Sequence, residues 1–336
     1  MLSNSEKIKR YLRDLPPAVL GIRNIDSVQI LEMTPGSYNF NYHVRVNQKH
    51  FIFRINIEQQ SGLRNQIEYE FEVLKFLEDY RLAPKVYHFD NSQEVFDFDI
   101  LIEDYLNGDH LSLEDSDISN AVELLVQLHS LDPVNKPFVI WRDPLVDTYE
   151  LARNDLLGYE SKKTADKKTV RLAKKLLAKT EAMVLNYRHL FHADSLNHTD
   201  VVCDNFIKTP QGLRLIDWEK PRVDDCTYDI CCFLCDPAEM WCSPKVLTSE
   251  ERVNFINTYA YLRRKNTDHL MAKVNIREPL VSLHWILWGA SKLCDLKERR
   301  TMPELLQAHE EKSARYGRIA NPENIEKLLV SLRFPD

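Results

Sequence analysis

HTDVVCDNFIKTPQGLRLIDW, residues 198–218, decides how this chain reads. His198, Asp200 and Asn205 stand in the order H-x-D-x-x-x-x-N, and Asp217 follows twelve residues after Asn205. From Asn205 to Trp218 the pattern is strand, turn, strand. A hairpin of that kind folds Asp217 back beside Asn205. It delivers two carboxylates and an amide to one place: Asp200, Asn205 and Asp217.

That set suits phosphoryl transfer, which asks for in-line positioning and neutralised phosphate charge rather than covalent help. Mg²⁺ takes hard oxygen ligands, and only one or two carboxylates beside phosphate oxygens and water. Asp217 as carboxylate and Asn205 as amide oxygen meet that need. Asp200, five residues before Asn205 across a tight loop, faces an acceptor hydroxyl and takes or orients its proton. The plain alternative is a polar turn cluster without chemistry, and the spacing and flanks weigh against it. Protein kinases carry a catalytic loop of the same spacing, followed by a metal-binding Asp.

Upstream, residues 5–15 read as a short amphipathic helix stopped by Pro16-Pro17. Residues 28–33 make a strand, 34–37 a turn, 40–46 an alternating strand, 47–49 a hairpin turn and 50–57 another alternating strand. Residues 64–77 are helical, with Ile67, Phe71, Leu74 and Leu77 on one face. Residues 85–89 and 98–105 return to strand character, and Leu106-Asn107-Gly108-Asp109 breaks it. The expected result is a five-stranded antiparallel sheet with one inserted helix. Beyond residue 105 the chain turns helical, over 119–131, 167–192, 252–264 and 280–293, the last apolar nearly all round.

Taken in order, four stretches resemble the aminoglycoside phosphotransferase / choline kinase family, small-molecule kinases of the protein-kinase-like fold. They are MTPGSYNFNYHVRVNQKHFIFR (33–54), FDILIEDYLNG (98–108), LVQLHSL (125–131) and LIDWEKPRVDDCTYDI (215–230). The resemblance implies an α+β, two-lobed fold. An N-terminal nucleotide-binding lobe, 1–104, would hold the five-stranded antiparallel sheet and helix. A mainly helical lobe, 105–336, would hold the catalytic loop and acceptor site, with ATP in the cleft between them.

It also assigns roles. Asp200 matches the catalytic Asp, and Asn205 and Asp217 match the Mg²⁺ ligands. His198, counted with the catalytic set, matches the structural His of the loop, and Asp229 the Asp that braces it. Arg54 stands where the family usually has Lys, with Glu70 as its helix partner. Gly36 lies in the nucleotide-binding turn, where Ser37 and Asn39 would contact phosphate. Asp104, Tyr105 and Leu106 would contact adenine through backbone. Arg for Lys, and a turn with one Gly, depart from the family pattern.

The implied reaction moves the γ-phosphate of ATP, or alternatively GTP, with Mg²⁺, to a hydroxyl of a small molecule. An amino alcohol, an aminoglycoside or a sugar-like acceptor would fit. The alternatives are a pseudokinase that binds nucleotide without turnover, and a kinase acting on RNA or protein. The acidic balance, Asp+Glu 51 against Lys+Arg 44, disfavours a nucleic-acid partner and favours a cationic acceptor. Trp141, Trp241, Trp285 and Trp288 either line a cage for a quaternary ammonium or pack in the core. Asp224, Asp225, Asp236 and Glu239 read as loop or cap acids.

Seven cysteines, five of them between Cys226 and Cys242, sit in an apolar run and read as buried thiols rather than as disulfides or a zinc site. The N-terminus shows no signal-peptide pattern and the longest apolar stretch, 281–294, is too short to span a bilayer. The expectation is a cytoplasmic monomer or homodimer with no membrane partner.

Overall fold

The computed structural model describes residues 3–59, 63, 65–133, 138–243 and 245–332. Its elements run α1 (Asn4–Asp14), β1 (Val28–Pro35), β2 (Asn39–Val46), β3 (Lys49–Asn56), α2 (Gln66–Leu77), β4 (Val86–Asp90), β5 (Asp99–Asp104) and β6 (Asp109–His110). They continue with α3 (Asp115–His129), α4 (Pro144–Glu160), α5 (Lys167–Tyr187), β7 (Ser195–Asn197), β8 (Phe206–Thr209), β9 (Gly212–Leu215) and β10 (Arg222–Asp224). The chain closes with α6 (Thr227–Leu234), α7 (Asp236–Cys242), α8 (Ser249–Leu262), α9 (Thr267–Lys297), α10 (Leu306–Glu311), α11 (Ser313–Ile319) and α12 (Pro322–Ser331). Two compact units result: Met1–Asp109 with Ile207–Lys220, and His110–Phe206 with Pro221–Asp336. The first therefore takes in the stretch that carries Asp217.

In the first unit the expected five-stranded antiparallel sheet is present, in the order β1-β2-β3-β5-β4. Ser3 starts α1 by capping: its side chain accepts the Glu6 N–H while Glu6 returns a carboxylate to the Ser3 N–H. β1 runs two residues past the expected 28–33, through Thr34-Pro35, so the turn begins at Gly36. The β2–β3 turn is only Asn47-Gln48, with Asn47 at φ 55°, a left-handed conformation that Asn tolerates.

Strand register sets the surroundings of Arg54. On β3 it faces Asn41 of β2 and Leu101 of β5. Side chains two residues apart share a face, so Glu103 lies diagonally next to Arg54. Helix α2 begins at Gln66; Arg64, where the sequence reading starts it, lies outside the described residues. Its buried stripe is Ile67, Glu70, Val73, Leu74 and Leu77, with a carboxylate among the apolar residues. Gly108 is required where the chain crosses β8: an added Cβ would sit 2.2 Å from the Lys208 carbonyl oxygen.

The second unit is built on α9. This helix is 31 residues long, more than twice the span that its apolar stretch predicts, and it continues through Pro279. Proline there removes the N–H that would bond the Asn275 carbonyl. Burial along the helix outweighs that loss: Leu280, Leu283, Ile286, Leu287 and Ala290 pack with residues of α4 and α5 in one core. Gly289 lets α9 approach α11, since a Cβ there would meet Ile319 at 2.5 Å.

Helix α4 and the helices after residue 305 have no counterpart in the sequence reading. The expected helix at 167–192 ends instead at Tyr187, followed by a short 3₁₀ turn. The other expected helices appear with shifted ends, as Asp115–His129 and Ser249–Leu262. No helix of the described residues is long and apolar enough to cross a membrane.

Candidate active site

In the second unit, β7 pairs antiparallel with β10 and delivers the chain to His198. Asp229, in the first turn of α6, clamps the loop after β7. Its carboxylate accepts the His198 N–H at 2.7 Å and the Thr199 N–H at 2.8 Å. His129 Nε2 lies 3.2 Å from the same carboxylate, and His129 Nδ1 is 2.8 Å from the Tyr259 hydroxyl. Burial alone would raise the Asp229 pKa, but His129 and the loop amides outweigh it and hold the pKa below its ordinary value. His129 is thus a satisfied core histidine, 1% exposed.

The clamp holds an unusual backbone. Thr199 sits at φ 76°, where a β-branched side chain is strained. Next along, the Asp200 N–H donates to His198 Nδ1 at 3.3 Å, so His198 shapes the loop from inside, at 1% exposure. Asn205 Nδ2 donates to the Asp200 carbonyl at 2.9 Å and to Asp200 Oδ2 at 3.1 Å. Its donors are thus spent on Asp200, and its Oδ1 is the atom left to meet a cation. Asp204, between them, pairs with Arg315 of α11 at 2.6 Å.

In the first unit, Arg54 is 3% exposed and surrounded by carboxylates. Nη1 donates to Glu70 Oε1 at 2.6 Å and lies 3.2 Å from Asp217 Oδ1 and 4.0 Å from Glu219 Oε1; Nη2 lies 3.6 Å from Glu103 Oε1. Burial opposes the Arg54 charge, and the four acids more than restore it, so its pKa is raised. Burial pushes Glu70 up to about 8 and Glu103 up to about 7, against the pull of Arg54, and raises Glu219 as well.

The sequence reading paired Arg54 with Glu70 and did not reach Glu103 or Glu219. Glu219 was legible as the fourth residue of Ile216-Asp217-Trp218-Glu219, and Glu103 as a β5 residue in register with Arg54.

Asp217 is a fit ligand for a hard cation. Its backbone is left-handed at φ 68° and its side chain is 35% exposed. Oδ1 faces Arg54, and no partner is shown for Oδ2 among the described residues. Trp218 closes the turn from below, its indole N–H donating to the Leu215 carbonyl at 2.9 Å. Among the described residues no three His, Cys, Asp or Glu side chains group as a metal site. Magnesium, which takes one or two protein carboxylates, asks for no such group.

The Gly36 N–H donates to the Asn39 carbonyl at 2.7 Å, and a Cβ on Gly36 would press that oxygen at 3.1 Å. Asn39 is buried and its amide donates to Glu219, so this side chain braces the turn from inside. Ser37, beside it, is half-buried. At the end of β5 the Asp104 N–H bonds the Lys85 carbonyl and the Tyr105 N–H bonds the His50 carbonyl. Of the three residues Asp104, Tyr105 and Leu106, the Leu106 N–H is the one with no partner shown among the described residues. The Tyr105 ring stacks on His43 at 3.7 Å.

Of the four tryptophans weighed for a cage, Trp241, Trp285 and Trp288 gather together. Trp288 lies 5.3 Å from Trp241 and 5.5 Å from Trp285, and Tyr316 lies 5.4 Å from both Trp241 and Trp288. The Arg315 guanidinium sits 5.3 Å from the Trp241 ring centre. Trp141 stands apart, under Arg222 at 3.3 Å. The acids read as loop or cap groups do structural work. Asp224 takes a two-point bond from the buried Arg277, Asp225 pairs with Lys273, Glu239 accepts the Leu247 N–H, and Asp236 lies 3.6 Å from Arg252.

Residues 30–265 match the profile of the phosphotransferase enzyme family. The chain belongs to that family. Among curated proteins no match is found. Solved phosphotransferase structures resemble this member over nearly its whole length. Choline kinase from Cryptosporidium parvum is 17% identical, with 97% of this chain and 98% of that chain covered, at a TM-score of 0.62. A choline/ethanolamine kinase family protein from Mesorhizobium loti is also 17% identical, with 98% and 99% covered and a TM-score of 0.59. Spectinomycin phosphotransferase, solved with ADP and spectinomycin, is 13% identical, with 98% and 99% covered and a TM-score of 0.59. At these identities the likeness is one of fold, and it is the kinase-like fold that the sequence reading expects.

Proposed function

We propose that this phosphotransferase moves the γ-phosphoryl group of Mg-bound ATP to a hydroxyl of a small molecule. The observation that carries the reading is the Asp200–Asn205 pair on a loop clamped by Asp229. It presents one carboxylate, already oriented, to an incoming hydroxyl. Asp200 accepts or orients the hydroxyl proton while Asn205 fixes its rotamer. Asn205 Oδ1 and Asp217 each offer a hard oxygen to Mg²⁺, which when bound neutralises charge on the phosphates.

Arg54, held by Glu70, supplies fixed positive charge toward the phosphates. Gly36 and Ser37 shape the turn over them. The Leu106 N–H meets the adenine edge. Together these support ATP as donor; a base read through backbone at one point leaves GTP as the alternative to test.

For the acceptor we propose a hydroxylated molecule with a cationic group, an amino alcohol or an aminoglycoside. The chain's excess of acid, Asp+Glu 51 against Lys+Arg 44, supports this; the rings of Trp241 and Tyr316 are themselves buried in the core. A thermal-shift series with Mg-ATP, Mg-GTP, amino alcohols, aminoglycosides and neutral sugars tests both parts. A ligand that binds only the folded chain raises its melting temperature. Expected are a magnesium-dependent nucleotide shift and an additional shift from cationic acceptors, which then become phosphorylated. Absence of any nucleotide shift at millimolar concentration turns the reading to a non-catalytic binding protein. Phosphorylation of neutral sugars alone removes the cationic acceptor.

A further inference from the structure

We infer that Glu103 is a positioning residue for Arg54, matched to the presence of arginine rather than lysine at that place; the inference rests on the nucleotide-binding role proposed above. A lysine presents one compact ammonium, which a single carboxylate can anchor. A guanidinium is a planar fork with two terminal nitrogens, and its direction is set only when both prongs are held. Here Nη1 is held by Glu70 from α2 and Nη2 is approached by Glu103 from β5. The two acids come from different elements and meet opposite ends of the fork.

The placement of Glu103 does not depend on its rotamer alone. It lies opposite Ile52 in the β3–β5 register, two residues from Leu101, which lies opposite Arg54. It therefore shares the sheet face of Arg54, and it is 3% exposed. A buried carboxylate that shares one cation with three others is an expensive choice for stability alone, because a neutral side chain of the same shape would relieve the repulsion. Its presence makes sense if it aims the guanidinium.

That separates aiming from folding. Glu103→Gln keeps shape and removes charge. It should leave the melting temperature unchanged or raise it, while weakening Mg-ATP binding about tenfold and leaving the KM of the acceptor alone. Arg54→Lys should weaken nucleotide binding to a similar degree. The double variant Arg54→Lys with Glu103→Gln should be no worse than either single one, because lysine has no second prong for Glu103 to hold.

The measurements are nucleotide titration calorimetry and thermal melts on the four proteins. Wild-type affinity in Glu103→Gln, losses that multiply in the double variant, or a nucleotide loss that arrives with a fall in melting temperature each overturn the inference. If the unsubstituted chain itself binds no Mg-ATP, the proposed function fails and this inference with it. If it binds and Glu103→Gln binds equally, only the inference fails.

Discussion

Asp200 and Asp217 are both acids of one motif, yet their surroundings differ, and the proposed function gives them different work. Asp200 is oriented by its loop neighbour Asn205, so Asp200→Ala should cut transfer by about two to four orders of magnitude, the usual reach of general acid–base help. It should leave Mg-ATP affinity within a few-fold of the original. Asp217 lies against Arg54 and offers a free oxygen, so Asp217→Ala should weaken Mg-ATP binding itself. Separate nucleotide titrations and single-turnover assays distinguish the two, and equal loss of folding stability in both variants would undo the assignment. These two acids were legible because chemistry ties them to a spacing: Asp200, Asn205 and Asp217 stand at fixed intervals in the chain. Glu103 was not, because what relates it to Arg54 is the pairing of two strands 49 residues apart in number, which no local spacing records.

At the scale of the element, α6 matters less as a helix than as the mount for Asp229. Its carboxylate satisfies two amides at the turn where Thr199 holds a strained conformation. Asp229→Ala would remove the carboxylate that accepts the buried His198 N–H and the half-buried Thr199 N–H, at a cost of roughly 1–3 kcal/mol for the buried donor and less for the other. The expected result is a lower melting temperature and lost transfer, with the His198–Asn205 amides exchanging faster in hydrogen-exchange mass spectrometry; protection equal to the original would show that the loop holds its own shape. The strands of the sheet were legible because alternation is written directly into residues 40–57. Helix α9 was half legible, since Pro279 reads as a stop and only the packing on every side carries the helix past it. Helix α4 was not, because Asp147, Thr148, Asn154 and Asp155 dilute its apolar stripe; Thr148 is spent on the Pro144 carbonyl and on Arg277.

Over the whole molecule, charge is carried inside as well as outside, and that shapes how stability follows pH. Burial pushes Glu239 up to about 8 from an ordinary 4.5, with Arg252 nearby and one carboxylate oxygen bonded to the Leu247 N–H. The folded state therefore keeps a proton on Glu239 that the unfolded chain gives up. Its contribution to stability is full below about 4.5 and is lost as pH rises toward about 8. One proton limits the share of Glu239 in the slope to about 1.4 kcal/mol per pH unit, and Glu70 and Glu103, pushed up to about 8 and about 7, add shares of the same sign. Denaturant melts between those limits should show stability falling with pH, and Glu239→Gln should make the fall less steep by one proton's share. An unchanged slope in that variant would place the proton elsewhere. At this scale the fold class was legible from the shift of strand-rich to helix-rich sequence near residue 105. The inclusion of Ile207–Lys220 in the first unit was not, because a hairpin can return across any length of chain.

The cysteines bring a last consequence, one of kinetics. Cys203, Cys226, Cys231, Cys232, Cys235 and Cys294 are buried and unpaired, and Cys242 alone is half-buried. Burial raises the Cys226, Cys231, Cys232 and Cys235 thiols, and a hydrogen bond with Cys203 together with burial raises Cys242, so exposure rather than ionisation sets the order in which they react. An alkylating reagent applied in a short pulse should mark Cys242 first and reach the others only when the helices around them part. The mass ladder that accumulates is then a clock for opening, read from the chain without a dye or a tag. A ligand that rigidifies residues 198–205 should slow the mark on Cys203, which lies among them, more than the mark on Cys294.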